Sequence, residues 1–388
     1  IVFGDWSSDV CSSDLHRTFP AEGKQIAAVM SQMKEVCDRF SCLDMLLSPS
    51  GVPLSVENFS PMGENLALLG CSRALKSVLA VAANLIGVPL QHCPLFYYYM
   101  ILAAYLMSSW RLQEDSSQMA DTFVERFRSL GGQLETGDGV KNIRVESGRV
   151  GGVTLTSGRY LAADTVIAAV HPRNVAAMLA AGTLKPEYAE RIHRLENTKG
   201  LLVVTLAVDG KAHEALPYNL YRLYPEADGS LVRGLFLQIR KSTQPGTHLL
   251  TIMNNSGIEA WRPWVNTKSG HRGGDYERTK RERAGELIAE TATFFGPLRG
   301  MLVLDIYTPL SIRDWVDSPD GSAYGIMRSS GQLMKTAFLN RPGISGLFFA
   351  GQNILAPGIL GTTVGSFQVV RRVVGWERFD REVVEKMR

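Results

Sequence analysis

The stretch LFFAGQNILAPGILGTTVGSFQVV, residues 347–370, holds four glycines and two adjacent threonines and has no charged side chain. Its beginning predicts a short buried strand that ends in glycine, and GILGTTVGSFQVV predicts a helix that starts at about residues 361–363. A glycine-rich helix start leaves backbone N–H groups open to an anion, which the helix dipole also favours. The apolar surroundings indicate an anion that belongs to a larger flat molecule, although α/β folds that bind no anion also carry such glycines.

The composition indicates an ordinary globular protein. The chain has 388 residues, of which 45% are hydrophobic and 20% charged, and its length suggests about two domains. A net charge of +3 does not indicate a nucleic-acid partner. The basic run ERTKRERAGE, residues 277–286, alternates in sign and lies in a helical pattern, so we interpret it as a solvated helix face.

The five cysteines, at positions 11, 37, 42, 71 and 93, show neither CxxC spacing nor a zinc-ligand pattern with histidine. The sequence therefore predicts no metal site and a reduced, cytoplasmic setting.

Residues 5–15, DWSSDVCSSDL, are also the translation of a common sequencing-library adapter. We interpret residues 1–15 as a non-native segment fused to a shortened gene, with native sequence from His16 onward. The segment has no basic region followed by an apolar stretch and a cleavage site, so it does not resemble a signal peptide.

Helical periodicity dominates the first third of the chain. Residues 19–40 predict an amphipathic helix, and residues 64–87 repeat the pattern. The run PLFYYYMILAAYLMSSW, residues 94–110, carries no charge. Three interpretations stay open for it: a buried helix, a membrane helix, or the lining of an apolar ligand tunnel.

Residues 116–172 predict a helix followed by strands. A serine is placed to cap a helix at 119–130, whose apolar residues form one stripe, and Gly131 and Gly132 end it. Three strands follow, at 140–146, 149–157 and 160–170, and the last is apolar enough to be buried on both faces. Strands at 201–209, 231–240 and 248–254 predict an antiparallel sheet with one covered face, followed by a helix over about 276–295.

Together these segments resemble the phytoene desaturase, carotenoid isomerase and retinol saturase family of FAD-dependent oxidoreductases, which is related in fold to the amine oxidases. The motifs that carry the resemblance are the helix and GG at 119–132, the strands at 140–172, GSAYGI at 321–326, RPGISGLFFAGQN at 341–353 and PGILGTTVGSF at 357–367. The order of these motifs along the chain is that of the family.

The resemblance implies an α/β (α+β mixed) fold, in which an incomplete FAD-binding Rossmann-like domain is interleaved with a substrate domain of antiparallel sheet plus helices. The expected boundaries are residues 16–115 for substrate-domain helices, 116–184 for part of the FAD-binding domain, 185–335 for the sheet and helices of the substrate domain, and 336–388 for the C-terminal part of the FAD-binding domain.

The resemblance also implies a set of FAD-binding residues. Val140 corresponds to the backbone that meets the adenine, and Ala168 and Ala169 end the strand that passes the cofactor. Gly351 and Gln352 occupy the late flavin motif, where many relatives have an acidic residue. The remaining implied residues begin the helix beneath the flavin ring: Gly361, Thr362, Thr363 and Val364.

Two departures from the family pattern matter. The sequence lacks the strand, GxGxxG turn and helix that bind the FAD diphosphate in the family. We therefore expect the chain to be a fragment, with apolar sheet surface left uncovered and weak binding of FAD. In addition, QEDSS precedes the helix at 119 where relatives often have glycines.

The implied chemistry is hydride transfer between the flavin and a C–C single or double bond of an apolar polyene, such as a carotenoid or retinoid-like lipid, by desaturation, saturation or isomerisation. His171 and Tyr324 are the catalytic candidates, and each has an alternative interpretation: His171 also fits a loop cap and Tyr324 a packing role. Another flavin oxidase of the amine-oxidase superfamily and a non-catalytic lipid binder remain alternatives. A polyene substrate also predicts peripheral membrane contact, with residues 64–110 as the expected region.

Overall fold

A computed structural model of the chain describes residues 8–39, 56–107, 112, 116–336, 338–340 and 342–387. The helices are α1 Ser8–Thr18, α2 Gly23–Arg39, α3 Met62–Leu68, α4 Arg73–Asn84, α5 Leu95–Met107, α6 Ser117–Ser129, α7 Pro172–Met178, α8 Pro186–Arg194, α9 Gly273–Phe295, α10 Pro309–Val316, α11 Leu333–Thr336, α12 Gly358–Val374, α13 Trp376–Phe379 and α14 Glu385–Met387. The strands are β1 Val140–Glu146, β2 Arg149–Leu155, β3 Tyr160–Ala162, β4 Val166–Ala168, β5 Gly200–Asp209, β6 Leu220–Pro225, β7 Leu231–Lys241, β8 Thr247–Ser256, β9 Leu302–Tyr307 and β10 Leu347–Phe349. The mixed helix and sheet class predicted from the sequence is confirmed.

The first helices form one apolar core. The amphipathic helix predicted at 19–40 is confirmed by α2, which buries Ile26, Val29 and Val36; Phe40 lies outside the described residues. The helical pattern predicted at 64–87 is confirmed by α3 and α4, which are two separate helices. Gly70 lies between them with φ 72, a left-handed conformation that ends α3.

The uncharged run at 94–110 forms α5, and its residues 108–110 lie outside the described ranges. Tyr98 and Tyr99 of α5 are fully buried. Over the described part of the chain, none of the helices has the length and apolar character needed to cross a bilayer. The buried-helix interpretation of this run is therefore confirmed.

A five-stranded antiparallel sheet follows, in the order β6-β7-β8-β5-β9. Alternate side chains of β5, among them Leu202, Val204 and Leu206, are buried against α9, as the prediction of one covered face requires. The helix predicted at 276–295 is confirmed as α9, and most charged residues at 277–286 are exposed. Strands β6 and β9 were not predicted, because neither shows clear alternation.

The segment at 140–170 forms two separate units. Strands β1, β2 and β3 make an antiparallel sheet, whereas β4 pairs in parallel with β10. The prediction of one strand at 160–170 is wrong, because the chain changes its pairing partner within it. The N–H of Ala163 donates to the carbonyl of Gly151 in the three-stranded sheet, whereas the N–H of Val166 donates to the carbonyl of Gly346, next to β10. The expected burial of both faces is also wrong, since Ile167 is 48% exposed.

The apolar stripe of α6 lies at the surface. Phe123 and Leu130 are 69% and 70% exposed, and the side chain of Ser116 makes no capping hydrogen bond, contrary to the prediction. Gly131 does end the helix with φ 86. Periodicity thus identified the helix but not whether anything packs against it.

Three apolar cores hold the described part of the chain together. One joins α2 to α5, a second joins β4, β10 and α8 to Ile326, and a third joins the five-stranded sheet to α9. The domain boundaries drawn from the sequence stay a prediction.

Candidate functional site

Two parallel strands end side by side and define the site. Ala168 of β4 lies opposite Phe349 of β10, and the N–H of Ala350 donates to the carbonyl of Ala168 at 2.9 Å. Ligands of α/β proteins bind at the carboxyl ends of parallel strands. The fold therefore brings Ala168 and Ala169 next to Gly351 and Gln352, four residues that the resemblance assigned to FAD.

The turn after β10 requires glycine at position 351. Gly351 has φ 82, and a Cβ added to it would lie 3.2 Å from the carbonyl oxygen of Ala169. The next buried side chain, Asn353, accepts the N–H of Ile326 on its Oδ1 at 3.0 Å. The turn is thus fixed to both the neighbouring strand and the segment around Ile326.

Helix α12 begins at Gly358, three residues before the predicted start at 361, and Pro357 caps it without a side-chain bond. Thr362 and Thr363 consequently lie within the helix instead of capping it. The Thr363 hydroxyl donates to the carbonyl of Ile359 at 2.8 Å. At Gly361 an added Cβ would lie 2.6 Å from Ala356, so the preceding loop folds directly over the helix start.

Val140 lies apart from this turn. It is the first residue of β1, pairs with Leu155 and is 38% exposed. The connection to β4 leaves the three-stranded sheet at its other end, where Ala162 pairs with Gly152. The structure brings the other implied residues to the two strand ends and to α12, but it does not bring Val140 to the turn.

A cavity of about 690 Å³ opens between α5 and the start of α12. Its size falls in the range of small-molecule pockets. Its lining is Leu85, Ile86, Phe96, Tyr97, Met100, Ile101, Ala104, Tyr105, Tyr324, Leu355, Ala356, Pro357, Gly358, Ile359, Leu360, Gly361, Thr363 and Val364. No charged side chain is among these lining residues, so the cavity favours an apolar molecule. The buried helix α5 therefore also lines an apolar cavity, and its role as the wall of a ligand tunnel stays a prediction.

Tyr324 lines the cavity from a segment that is held by hydrogen bonds. Its N–H donates to the hydroxyl of Thr198 at 3.0 Å, and the N–H of Thr198 donates to the carbonyl of Gly325 at 2.8 Å. Its ring packs against Gly87, where an added Cβ would lie 2.8 Å from the ring. Burial raises the pKa of the Tyr324 hydroxyl, which therefore stays protonated.

His171 is buried immediately after β4 and caps α7. Its Nδ1 accepts the N–H of Arg173 at 3.1 Å, and its Nε2 lies 2.9 Å from Oδ1 of Asn197. Burial lowers the pKa of His171 to about 4, so the ring is neutral. Both ring nitrogens have protein partners, as the cap interpretation predicted. A catalytic role of His171 stays a prediction.

Replacing His171 with asparagine should remove a pH dependence of stability. The unfolded histidine gains a proton below about pH 6.5 while the folded one stays neutral down to about pH 4. The folded protein should therefore lose up to about 3 kcal/mol of stability as the pH falls through that window. Urea unfolding at about pH 7 and about pH 4.5 should show a smaller acid loss in His171→Asn than in the unaltered chain. The exposed His193→Asn variant is the control; an equal acid loss in all three proteins would contradict the assignment.

Arg328 was not found by sequence reasoning. Its side chain is 1% exposed, and its Nε and Nη2 atoms make no hydrogen bond to the described residues. Burial lowers the pKa of His171, after β4, and the charge of Arg328 adds to that lowering. Burial raises the pKa of Tyr97, in the cavity wall, and the charge of Arg328 opposes that rise. An arginine in GIMRSSG carries no sequence signal for this burial. It supplies uncompensated positive charge close to the strand ends.

These features fit an anionic flavin nucleotide. Gly351 has a positive φ and no side chain at this turn. The start of α12 borders the cavity and no side chain caps its N–H groups. The Nε and Nη2 atoms of buried Arg328 have no hydrogen-bond partner among the described residues. In the described ranges, no cluster of His, Cys, Asp and Glu is arranged to hold a metal ion.

Comparisons with known proteins agree with this geometry. The family model for flavin containing amine oxidoreductases matches residues 54–366. All-trans-retinol 13,14-reductase of Rattus norvegicus is 21% identical over 403 residues, which cover 91% of this chain and 66% of that protein. Chloroplastic prolycopene isomerase of Arabidopsis thaliana is 24% identical over 261 residues, which cover 63% of this chain and 42% of that protein. The chain thus spans less than two thirds of either relative.

Solved structures share the fold. The CLA-producing fatty acid isomerase from P. acnes aligns with a TM-score of 0.58 at 15% identity, over 91% of this chain and 75% of that protein. Putrescine oxidase bound to putrescine aligns with a TM-score of 0.60 at 12% identity, over 91% and 74%. At these identities the likeness establishes the fold alone.

Proposed function

The chain belongs to the flavin containing amine oxidoreductase family, whose cofactor is FAD, and from that premise we propose that it acts on carbon–carbon bonds of an apolar polyene. The reaction class is desaturation, saturation or isomerisation of a carotenoid or retinoid-like lipid. The observation that carries the proposal is the cavity beside α12, because its lining has no charged side chain.

The cavity wall explains why a polyene fits better than an amine. Helix α5 contributes Met100, Ile101 and Ala104, and the start of α12 contributes Ile359 and Leu360. A cationic amine would lose its hydration there without gaining a carboxylate partner from the lining, whereas burial of a hydrocarbon chain is favourable. The two curated relatives, named for retinol and prolycopene, support the same substrate class.

The residues at the strand ends would hold the cofactor. The backbone at Ala168, Ala169 and Gly351 would lie along it, Gln352 would offer a hydrogen bond, and the N–H groups at the start of α12 would face its negative charge. FAD bound there supplies hydride transfer. The apolar side chains of α5 would exclude water and keep the polyene in place.

A polyene is dissolved in lipid, so the protein would collect it from a membrane surface. We assign this contact to residues 64–110, because α5 in that region forms one wall of the cavity.

Binding of a polyene to the chain itself tests the proposal without turnover. We expect all-trans-retinol to quench tryptophan fluorescence with micromolar affinity, and putrescine in excess not to compete. Ala104→Trp should fill the middle of the cavity and weaken binding about tenfold or more. The matched control is Ala120→Trp on the exposed face of α6.

The absorbance spectrum after incubation with FAD and gel filtration tests the cofactor separately. Retained flavin bands that the polyene perturbs would support the proposal. Competition by putrescine, or equal polyene binding by the Ala104→Trp variant, would contradict it.

A further inference from the structure

Two tyrosines from distant parts of the chain line the cavity, and a third lies close to both of them. Tyr105 comes from the last turns of α5 and Tyr324 from the segment before α11, and both line the cavity. Tyr221 lies on β6, where its ring packs edge-to-face on Phe236 at 5.5 Å. Tyr105 and Tyr324 both add to the rise that burial produces in the pKa of Tyr221, so the three phenol groups are neighbours.

Apart from the hydroxyls of Tyr97, Tyr105, Tyr324 and Thr363, the side chains that line the cavity are apolar. Tyr97 and Tyr105 are eight residues apart on α5, which separates them by about 12 Å along the helix. The hydroxyl of Tyr97 is already used, because it donates to the carbonyl of Leu355. Between them lie Met100, Ile101 and Ala104, so the hydroxyls near Tyr105 face a long apolar surface.

The hydroxyl of Tyr324 has no hydrogen-bond partner in the part of the chain that the structure describes, whereas Tyr221 is bonded to the side chain of Asn219. Tyr324 is half-buried and lines the cavity, so an oxygen atom of a ligand there would supply the hydrogen bond that its hydroxyl lacks. Burial keeps these tyrosines protonated and therefore able to donate. Since no cation is among the lining residues, a neutral oxygen fits better than a carboxylate.

We propose that Tyr324, with Tyr105 and Tyr221, forms a polar end of the cavity that recognises a neutral oxygen group, a hydroxyl or a carbonyl, at one end of an otherwise apolar substrate. The inference rests on the proposed function and narrows its substrate class. A pure hydrocarbon leaves the Tyr324 hydroxyl unpaired, so a site of this kind discriminates against it.

A matched pair of ligands tests the proposal: all-trans-retinol and the hydrocarbon in which hydrogen replaces its hydroxyl. In fluorescence titrations of the unaltered chain, the alcohol should bind about tenfold more tightly than the hydrocarbon. Tyr324→Phe should reduce that ratio to about two or less by weakening the alcohol alone. Tyr105→Phe provides a second variant should Tyr324→Phe not fold, as judged by circular dichroism. Tyr160→Phe is the control, because it removes a hydroxyl that bonds Gly151 outside the cavity.

The outcomes separate this inference from the function it rests on. Equal affinity of the unaltered chain for both ligands would contradict the proposed polar end but not the proposed apolar cavity. The same holds if Tyr324→Phe loses binding of both ligands. Binding of neither ligand would overturn the proposed function as well. Tighter binding of the corresponding carboxylic acid than of the alcohol would also contradict the proposal, since it requires a neutral oxygen.

Discussion

Replacing Gly325 with alanine is expected to lower the free energy of unfolding by about 3 kcal/mol and to disrupt the site. Gly325 has φ 67, a conformation that alanine adopts only with strain. An added Cβ would lie 2.0 Å from Oδ1 of Asn353. That same oxygen accepts the N–H of Ile326 at 3.0 Å.

The substitution is expected to affect both the cavity and the turn after β10. The hydrogen bond between Ile326 and Asn353 joins the segment that carries Tyr324 to the turn that carries Gly351. Moving Asn353 to admit a methyl group breaks that bond and leaves a buried amide oxygen and a buried N–H unpaired. We therefore expect Gly325→Ala to lose polyene and FAD binding in addition to stability.

Thermal unfolding followed by circular dichroism measures the effect, and Gly331→Ala is the matched control. Gly331 follows in the same segment, and an added Cβ there would meet no atom within 4 Å. We expect a decrease of several degrees in Tm for Gly325→Ala and little change for Gly331→Ala. Equal Tm values for the two variants would show that Asn353 does not fix this segment.

Replacing Arg328 with methionine is expected to stabilise the cofactor-free protein by about 1–4 kcal/mol. The guanidinium group is 1% exposed and has no carboxylate partner among the described residues. Burial lowers the pKa of Arg328, which shows that its charged form is costly in this position. Methionine has a similar length and no charge to desolvate, so the cost is removed and most packing is kept.

The gain in the free energy of unfolding should be specific to the buried position of Arg328. Arg149→Met, at the exposed start of β2, should change stability by less than about 0.5 kcal/mol. Urea unfolding of both variants without added cofactor measures the difference. Destabilisation by Arg328→Met would show that the guanidinium has a partner that balances its burial. If its charge faces FAD, the same variant should also bind FAD more weakly, which titration of flavin fluorescence measures independently.

Local sequence patterns determined the elements that depend on local geometry. Helical patterns identified α2, α6 and α9, and an uncharged run marked the position of α5. Glycine marked the turn after β10 because residue 351 needs a positive φ. The motifs at 140–172 and 341–367 also identified the flavin family, because they occur in the order that the family shows.

The tertiary structure alone decided which elements meet. Strand β4 pairs with β10 about 180 residues later, and Tyr105, Tyr221 and Tyr324 converge from three different elements. It also decided that the stripe of α6 faces outward and that Arg328 is buried. Periodicity records which face of an element is apolar, but the contacts of that face depend on how distant segments pack, and no local spacing encodes that packing.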